Sequence, residues 1–166
     1  MNATPEFVLR SFMIGAGATA IIDLWALLLK QFGIPSLSFA LLGRWLGHLF
    51  AGRWKHETIA KAAPIAGELW LGWLAHYSIG VTFAALLLGV NGPEWGRNPT
   101  LLPALILGII TVAAPLFVLQ PAMGAGVASS RTSKPVFNSI KSMITHVVFG
   151  IGLYLAALAT DWLIPA

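Results

Sequence analysis

Four long apolar segments constrain the fold of this chain more than any other feature of its sequence. A helix needs about 20 mostly apolar residues to cross the hydrocarbon core of a bilayer. Segments that meet this requirement span residues 7–29, 64–90, 101–120 and 136–163. Because lipid offers the backbone no hydrogen-bond partner, each segment is expected to be an α-helix. We therefore predict an all-α, polytopic membrane protein whose 166 residues form a single transmembrane domain.

Composition supports a membrane location and excludes several kinds of site. Only 10% of the residues are charged, whereas a soluble domain carries about 25%. The chain has no cysteine, which excludes disulfides, thiolate metal sites and thiol catalysis. The net charge of +4 comes from bases between the apolar segments, which favours contact with anionic lipid over nucleic acid. No triad spacing or phosphate loop is present, so an electron carrier or transporter is expected rather than a hydrolase or transferase.

Lysine and arginine residues divide unevenly between the loops. The stretches after the first and third apolar segments are basic, with Lys30, Arg44, Arg53, Lys55 and Lys61 in one and Arg131, Lys134 and Lys141 in the other. The loop after the second segment holds only Arg97. Basic loops tend to stay in the cytoplasm. Both termini are therefore predicted to lie on the outer side of the membrane, and both basic loops in the cytoplasm.

The segment LSFALLGRWLGHLFAGRW, residues 37–54, is about one span long but is interrupted by arginines. Its large apolar residues share one helical face, and Arg44 and His48 fall off that face. We predict an amphipathic helix that lies on the inner leaflet. A re-entrant helix is the alternative. His48 and His56 are expected to be surface histidines, with metal ligation as the alternative.

An internal repeat relates the two halves of the chain. HYSIGVTFAALL, from His76, resembles HVVFGIGLYLAAL, from His146, and TAIIDLW resembles TVAAPLF in the preceding segments. Two similar helical hairpins with a pseudo-twofold axis along the membrane normal would explain both matches; chance similarity between apolar helices is the competing explanation. Pro115 takes the place of Asp23 in this alignment and predicts a kink in the third helix.

The repeat would bring His76 and His146 to equal depth, near the middle of the bilayer. Two facing imidazoles suit a b-type haem, in which each binds the iron from one side. Gly80 and Gly150, one turn from each histidine, would leave room for the porphyrin plate. Arg44 and Ser142 are candidates to bind its propionates, together with Arg53 and Lys141. The alternative is that both histidines only hydrogen-bond across packed helices.

Two acidic residues lie within or beside the apolar segments. Asp23 could relay protons or could act as the counter-ion of Arg44 or Lys141, and the structural ion pair is the favoured interpretation. Glu68 lies close to the inner boundary and is expected to pair with Lys61.

Five motifs together resemble a known family. GATAIIDLW, GRWLGH, GELWLGWLAHYSIG, QPAMGAG and HVVFGIGLY are similar to those of small four-helix bacterial inner-membrane proteins that are catalogued as a domain of unknown function. The resemblance covers nearly the whole chain and implies a four-helix bacterial membrane protein. It implies no activity, ligand or catalytic residue. In a bacterial inner membrane, the two outer termini are predicted to be periplasmic.

The function predicted from the residues themselves is membrane electron transfer by a bis-histidine haem b protein. A quinone or a larger respiratory complex would be its partner. One alternative is a small transporter or channel, in which Asp23, Glu68 and the histidines line a polar path at the repeat interface. The other is an accessory subunit that packs against a larger membrane complex; a homo-oligomer is compatible with all three.

The predicted orientation can be checked with reporter fusions. A periplasm-active reporter joined after Ala166 should be active, and one placed in the basic loop at Lys134 should be silent, because basic loops stay inside. A cytoplasmic signal at Ala166 would contradict the predicted orientation.

Overall fold

The computed structural model describes residues 3–164, and its regular elements are all helical over that range. Their bounds are α1 Ala3–Gln31, α2 Phe39–Phe50, α3 Glu68–Asn91, α4 Pro93–Arg97, α5 Leu101–Thr111, α6 Gln120–Met123 and α7 Pro135–Leu163. A π-helical segment, Ala114–Leu119, joins α5 to α6, and 3-10 turns lie at Ile59–Lys61 and Val127–Ser129. The predicted periplasmic ends, Met1 and Ala166, lie outside the described residues.

Four helical stretches are long and apolar enough to cross a membrane. They are Thr4–Gln31, Glu68–Asn91, Leu101–Met123 and Pro135–Leu163. The prediction of an all-α protein with four potential membrane-spanning helices is therefore confirmed. The second stretch begins at Glu68 rather than near Pro64, because Gly67 turns the chain at a φ of 73° immediately before it.

Large apolar side chains cover the outside of these helices. Phe12 is 60% exposed, Trp70 77% and Val90 76%. A surface of this kind is costly in water and matches the hydrocarbon of a bilayer. The apolar helices are thus suited to direct contact with lipid.

The chain divides into two compact units. The first unit comprises Met1–Ile34, Tyr77–Ile110 and Thr145–Ala166, and the second comprises Pro35–His76 and Thr111–Ile144. The core of the first unit is built from small and aliphatic residues, among them Ile14, Ala18, Leu88, Leu153 and Ala157. The core of the second unit contains Leu42, Trp45, Ile59 and Ala122. Helices α3, α5 and α7 contribute residues to both units.

Pro115 lies within the π-helical segment that separates α5 from α6. Proline has no backbone N–H, and its ring collides with the carbonyl one turn earlier, so an α-helix cannot continue unchanged through it. Widening the backbone to a π-turn relieves that collision. The irregularity that the sequence predicted at this proline therefore takes the form of a π-helical turn.

Helix α2 occupies the middle of the segment predicted as residues 37–54. The hydroxyl of Ser38 caps it by accepting the N–H of Leu41 at 3.5 Å. Leu42 and Trp45 are buried, whereas Phe50 at the end of the helix is 79% exposed. The placement of α2 on the inner leaflet and the hairpin symmetry stay predictions.

Glycines let α2 and the start of α3 approach within the second unit. A Cβ on Gly43 would collide with the carbonyl of Glu68 and would lie 2.7 Å from the N of Gly72. A Cβ on Gly72 would collide in turn with the carbonyl of Phe39. Both obstacles are main-chain atoms, which cannot rotate away. The two helices therefore pack backbone against backbone at this place.

Gly43→Ala should destabilise the protein, because the new methyl group has to push α2 away from α3. Overpacking of this kind costs about 1–3 kcal/mol, measured as a fall in the free energy of unfolding in detergent. Gly89→Ala is the matched control, since a Cβ there meets nothing within 4 Å and alanine favours a helix interior by about 1 kcal/mol over glycine. Equal stability of the two variants would contradict the close approach.

Candidate functional site

A stripe of small and polar residues follows one face of α1. Ser11, Gly15, Thr19 and Asp23 recur every four residues, which places them above one another on a helix. The side chains of Ser11 and Thr19 are buried, at 3% and 1% exposure. The stripe therefore faces the protein interior rather than lipid.

This stripe packs against α3 inside the first unit. A Cβ on Gly15 would collide with Cα of Val81 and would lie 2.7 Å from the carbonyl oxygen of Gly80. Thr19 donates its hydroxyl to the carbonyl of Gly15 at 2.7 Å and fills the space next to Gly80. The seam between α1 and α3 is closed here, with no room for even one further methyl group.

Asp23 accepts a hydrogen bond at the other end of the same seam. The hydroxyl of Tyr77 donates to Oδ2 of Asp23 at 3.0 Å, and both side chains are partly buried. Asp23 lies eight residues before Gln31, the last residue of α1, which is a depth of roughly 12 Å along a helix. A second bond, from Nε1 of Trp25 to the hydroxyl of Thr145 at 3.3 Å, ties α1 to α7 nearby.

The structure thus gives Asp23 a partner that the sequence analysis missed. Tyr77 is separated from Asp23 by 54 positions, and nothing in a single sequence marks such a pair. The two bases proposed as counter-ions of Asp23 have ligands of their own: Arg44 binds Glu68 at 2.8 Å and Lys141 donates to the carbonyl of Pro35 at 2.7 Å.

A buried arginine lies toward the start of α1. Arg10 is 2% exposed, and its Nε donates to Glu6 at 2.9 Å. Its remaining N–H groups donate to the carbonyls of Gly96 and Ile164, both at 2.8 Å, and to Asp161 at 3.4 Å. A buried guanidinium is tolerable only when its donors are matched in this way. Arg10 therefore joins α1, α4 and the end of α7 within the first unit.

Arg97, the last residue of α4, binds the same carboxylate as Arg10. Its Nε and Nη2 donate to the two carboxylate oxygens of Glu6 at 3.0 and 2.8 Å. Donating these hydrogen bonds to the carboxylate of Glu6 raises the pKa of Arg97 above its usual value. A cavity of about 50 Å³ opens beside the pair, lined by Glu6, Phe7, Arg10, Leu88, Pro93 and Arg97. It is large enough for water, which needs polar partners such as these.

The two histidines predicted as haem ligands have different surroundings. His76 belongs to the second unit, and its ring lies 4.7 Å from that of Phe39 and 6.2 Å from that of Trp73, centroid to centroid. His146 belongs to the first unit, hydrogen-bonds the backbone of Gly108 and lies 6.5 Å from the ring of Phe149. Ligation of an iron by either residue stays a prediction.

The glycines beside these histidines serve helix packing. A Cβ on Gly80 would collide with the hydroxyl of Thr19, and one on Gly150 would lie 2.9 Å from the carbonyl oxygen of Ala104 and from Cα of Leu105. Helices α1 and α5 thus fill the two faces that a porphyrin plate was expected to use. The repeated His-x-x-x-Gly pattern finds its explanation here in two matching close contacts between helices.

The candidate propionate ligands also have protein partners. Arg44 donates through Nε and Nη2 to both oxygens of Glu68, at 2.9 and 2.8 Å, and this hydrogen bonding raises the pKa of Arg44. Glu68 therefore pairs with Arg44 rather than with the predicted Lys61. Ser142 accepts a hydrogen bond from Gln120 at 3.3 Å. Because these residues and the two glycines have protein partners, their arrangement gives the haem no support.

His48 and His56 lie inside the second unit, which corrects their predicted place at the surface. They are only 8% and 6% exposed. His48 follows Trp45 by three positions on α2, so the two share the inward face. The buried face of α2 is wider than the apolar face predicted from the sequence, and it includes His48. Among residues 3–164, no cluster of three or more histidine, aspartate or glutamate side chains is placed to hold a metal ion.

The chain matches a known family over most of its length. The model of a family described as a protein of unknown function, DUF2938, matches residues 12–160. No curated protein and no solved structure matches the chain.

Arg10→Met should destabilise the protein strongly. The change removes the hydrogen-bond donor of the Gly96 and Ile164 carbonyls and one of the two arginine partners of Glu6. Removing one partner of a buried ion pair costs about 3–5 kcal/mol. Unfolding in detergent measures the loss. Lys30→Met, at an exposed position, is the control and should change the stability little. A loss no larger than that of the control would contradict the structural role of Arg10.

Proposed function

The chain belongs to the DUF2938 family, whose function is unknown, and we propose from its own geometry that it moves protons through the membrane, with Asp23 as the proton-binding group. The observation that carries the proposal is the hydrogen bond from Tyr77 to Asp23 inside the first unit, at 3.0 Å. It is a specific form of the transporter or channel function that the sequence left as an alternative.

A carboxyl group within a membrane-spanning helix suits this task. Charged groups in hydrocarbon are expensive, and they are kept mostly where they bind ions or relay protons. Asp23 is such a group, and the hydroxyl of Tyr77, hydrogen-bonded to it at 3.0 Å, places a second proton-bearing group beside it.

The remainder of the α1 stripe supplies hydroxyl groups between Asp23 and the Arg10 cluster. Ser11 has a buried Oγ with no hydrogen-bond partner among the described residues, and Thr19 lies between Ser11 and Asp23. A hydroxyl both donates and accepts, as proton transfer requires. Thr19 and Asp23 are four residues, or about 6 Å, apart along the helix, and Ser11 and Thr19 are eight residues, or about 12 Å, apart. Water has to bridge these gaps.

The closed seam at Gly15 favours a proton over a larger solute. Main-chain atoms of Gly80 and Val81 occupy the space that any substituent on Gly15 would need. A hydrated ion or an organic solute would require α1 and α3 to separate there. A proton needs a smaller separation than either of these solutes, one that admits a single water molecule.

The competing explanation is that Tyr77 and Asp23 only hold α1 against α3. Hydrogen bonds between membrane helices commonly do this and contribute about 0.6 kcal/mol on average. The two explanations differ in what a substitution changes. A structural bond affects stability alone, whereas a proton-binding group affects flux at nearly unchanged stability.

Proton flux into lipid vesicles tests the proposal. Vesicles that contain the purified protein and a trapped pH-sensitive dye should change internal pH faster than protein-free vesicles when a membrane potential is imposed. Asp23→Asn should reduce the flux to the protein-free level, because the amide cannot exchange a proton. Tyr77→Phe should reduce it several-fold and shift its pH dependence.

Two conservative variants serve as matched controls. Tyr154→Phe removes a phenol from α7, and Glu94→Gln removes an exposed carboxylate from α4; both should leave the flux unchanged. A wild-type flux equal to that of protein-free vesicles, or an undiminished flux in Asp23→Asn, would contradict the proposal.

A bis-histidine haem b that transfers electrons to a quinone or a respiratory complex is the rival proposal, and its support remains the spacing of His76 and His146. The same purified protein distinguishes the two. A Soret band that is lost in His76→Ala and in His146→Ala favours the haem, and a colourless protein with proton flux favours Asp23. Residence in a bacterial inner membrane belongs to both proposals.

A further inference from the structure

We propose that His56 is a proton-binding site outside the spanning helices, and that a proton bound there loosens the contact between residues 56–58 and the turn after α6. The site belongs to the second unit and includes His48 of α2. This inference does not depend on Asp23 or on proton transport.

Hydrogen bonding fixes the tautomers of both rings. Nε2 of His48 lies 2.9 Å from the carbonyl oxygen of Ala63, and because a carbonyl only accepts, this nitrogen carries the proton. Nδ1 of a neutral His48 therefore has a lone pair. Nε2 of His56 lies 3.2 Å from that lone pair, so His56 donates from Nε2.

The remaining ring nitrogen of His56, Nδ1, differs from the other three ring nitrogens of the pair. Nδ1 of His56 carries a lone pair, is buried, and has no hydrogen-bond partner among the described residues. A buried acceptor without a donor is unfavourable, and such groups in native proteins usually have a reason. Of the four ring nitrogens in the pair, this is the one that can take a further proton without breaking an existing bond.

The charges around His56 oppose that proton at neutral pH. Burial lowers the pKa of His56 below its usual value near 6.5, and His48 and Arg53 lower it further. The carbonyl of Ala122 acts in the opposite direction and favours the protonated ring. Because its pKa lies below the usual value, His56 is neutral near pH 7.

His56 lies in a tight contact between two main-chain segments. The N–H of His56 donates to the carbonyl of Ala122 at 2.8 Å. Gly124 has a φ of 98°, which favours glycine, and its Cα packs on the carbonyl of Glu57, where a Cβ would collide. Charging His56 within this buried contact has a desolvation cost. Moving the ring into water removes that cost and opens the contact.

The direction of the pH effect follows from the lowered pKa. Between the usual value near 6.5 and the lower value in the folded protein, the unfolded chain binds more protons than the folded one. The stability that neutral His56 provides is therefore complete above about pH 6.5. It is lost as the pH falls through the lowered pKa.

Thermal unfolding of the detergent-solubilised full chain between pH 5 and pH 8 tests the inference. As the pH is lowered below 6.5, the unfolding temperature of the wild type should fall by a few degrees. In a chain of this size, each kcal/mol lost lowers it by about 2–4 °C. His56→Gln should show a smaller fall, because the amide can donate to His48 but does not titrate. Glu57→Gln, an exposed neighbour, should retain the wild-type pH dependence.

Nitrogen-15 spectra of the histidine rings test the site directly and do not require any variant to fold. His56 should titrate below pH 6.5 as an Nε2–H tautomer, and the main-chain N–H of His56 should lose protection from exchange in step with it. Titration of His56 at or above 6.5, or an unchanged N–H protection across its titration, would overturn the inference. An identical pH dependence of unfolding in wild type and His56→Gln would do the same.

Discussion

The requirement that polar groups inside a bilayer find partners within the protein underlies the rest of this structure. Four apolar stretches satisfy it along their backbones by forming helices. Side chains satisfy it in a few places, where Arg10 gathers Glu6, Asp161 and two carbonyls, and where Tyr77 meets Asp23. Glycines make such contacts possible, because they let one helix pack closely against the main chain of the next.

Sequence was sufficient for the features that depend on local chemistry. The length of the apolar stretches predicted the four helices, and the missing N–H of Pro115 predicted an interruption within the third. The pairs that matter at the candidate site are of another kind. Asp23 with Tyr77, and Arg44 with Glu68, are separated by 54 and 24 positions. Which polar residue meets which depends on the rotation of each packed helix, and this rotation leaves no local pattern.

The histidines illustrate the same limit. His48 and His56 were expected at the surface because their segment is basic, yet α2 turns His48 inward together with Trp45. The repeated glycines one turn after His76 and His146 were expected to accommodate a flat cofactor. In the structure, α1 packs against Gly80 and α5 packs against Gly150. A small residue in a membrane helix indicates a close approach, and its position alone does not say whether a ligand or another helix approaches.

We propose that Asp23 exchanges a proton inside the membrane and that Tyr77 influences this exchange. Infrared difference spectra of the protein in lipid, recorded between acidic and neutral pH, report this most directly through the carbonyl stretch of a protonated carboxylic acid. We expect a carboxylic acid band that is absent from Asp23→Asn and displaced in Tyr77→Phe. Identical difference spectra for the wild type and Asp23→Asn would show that this carboxyl group does not titrate, which would refute the proposal.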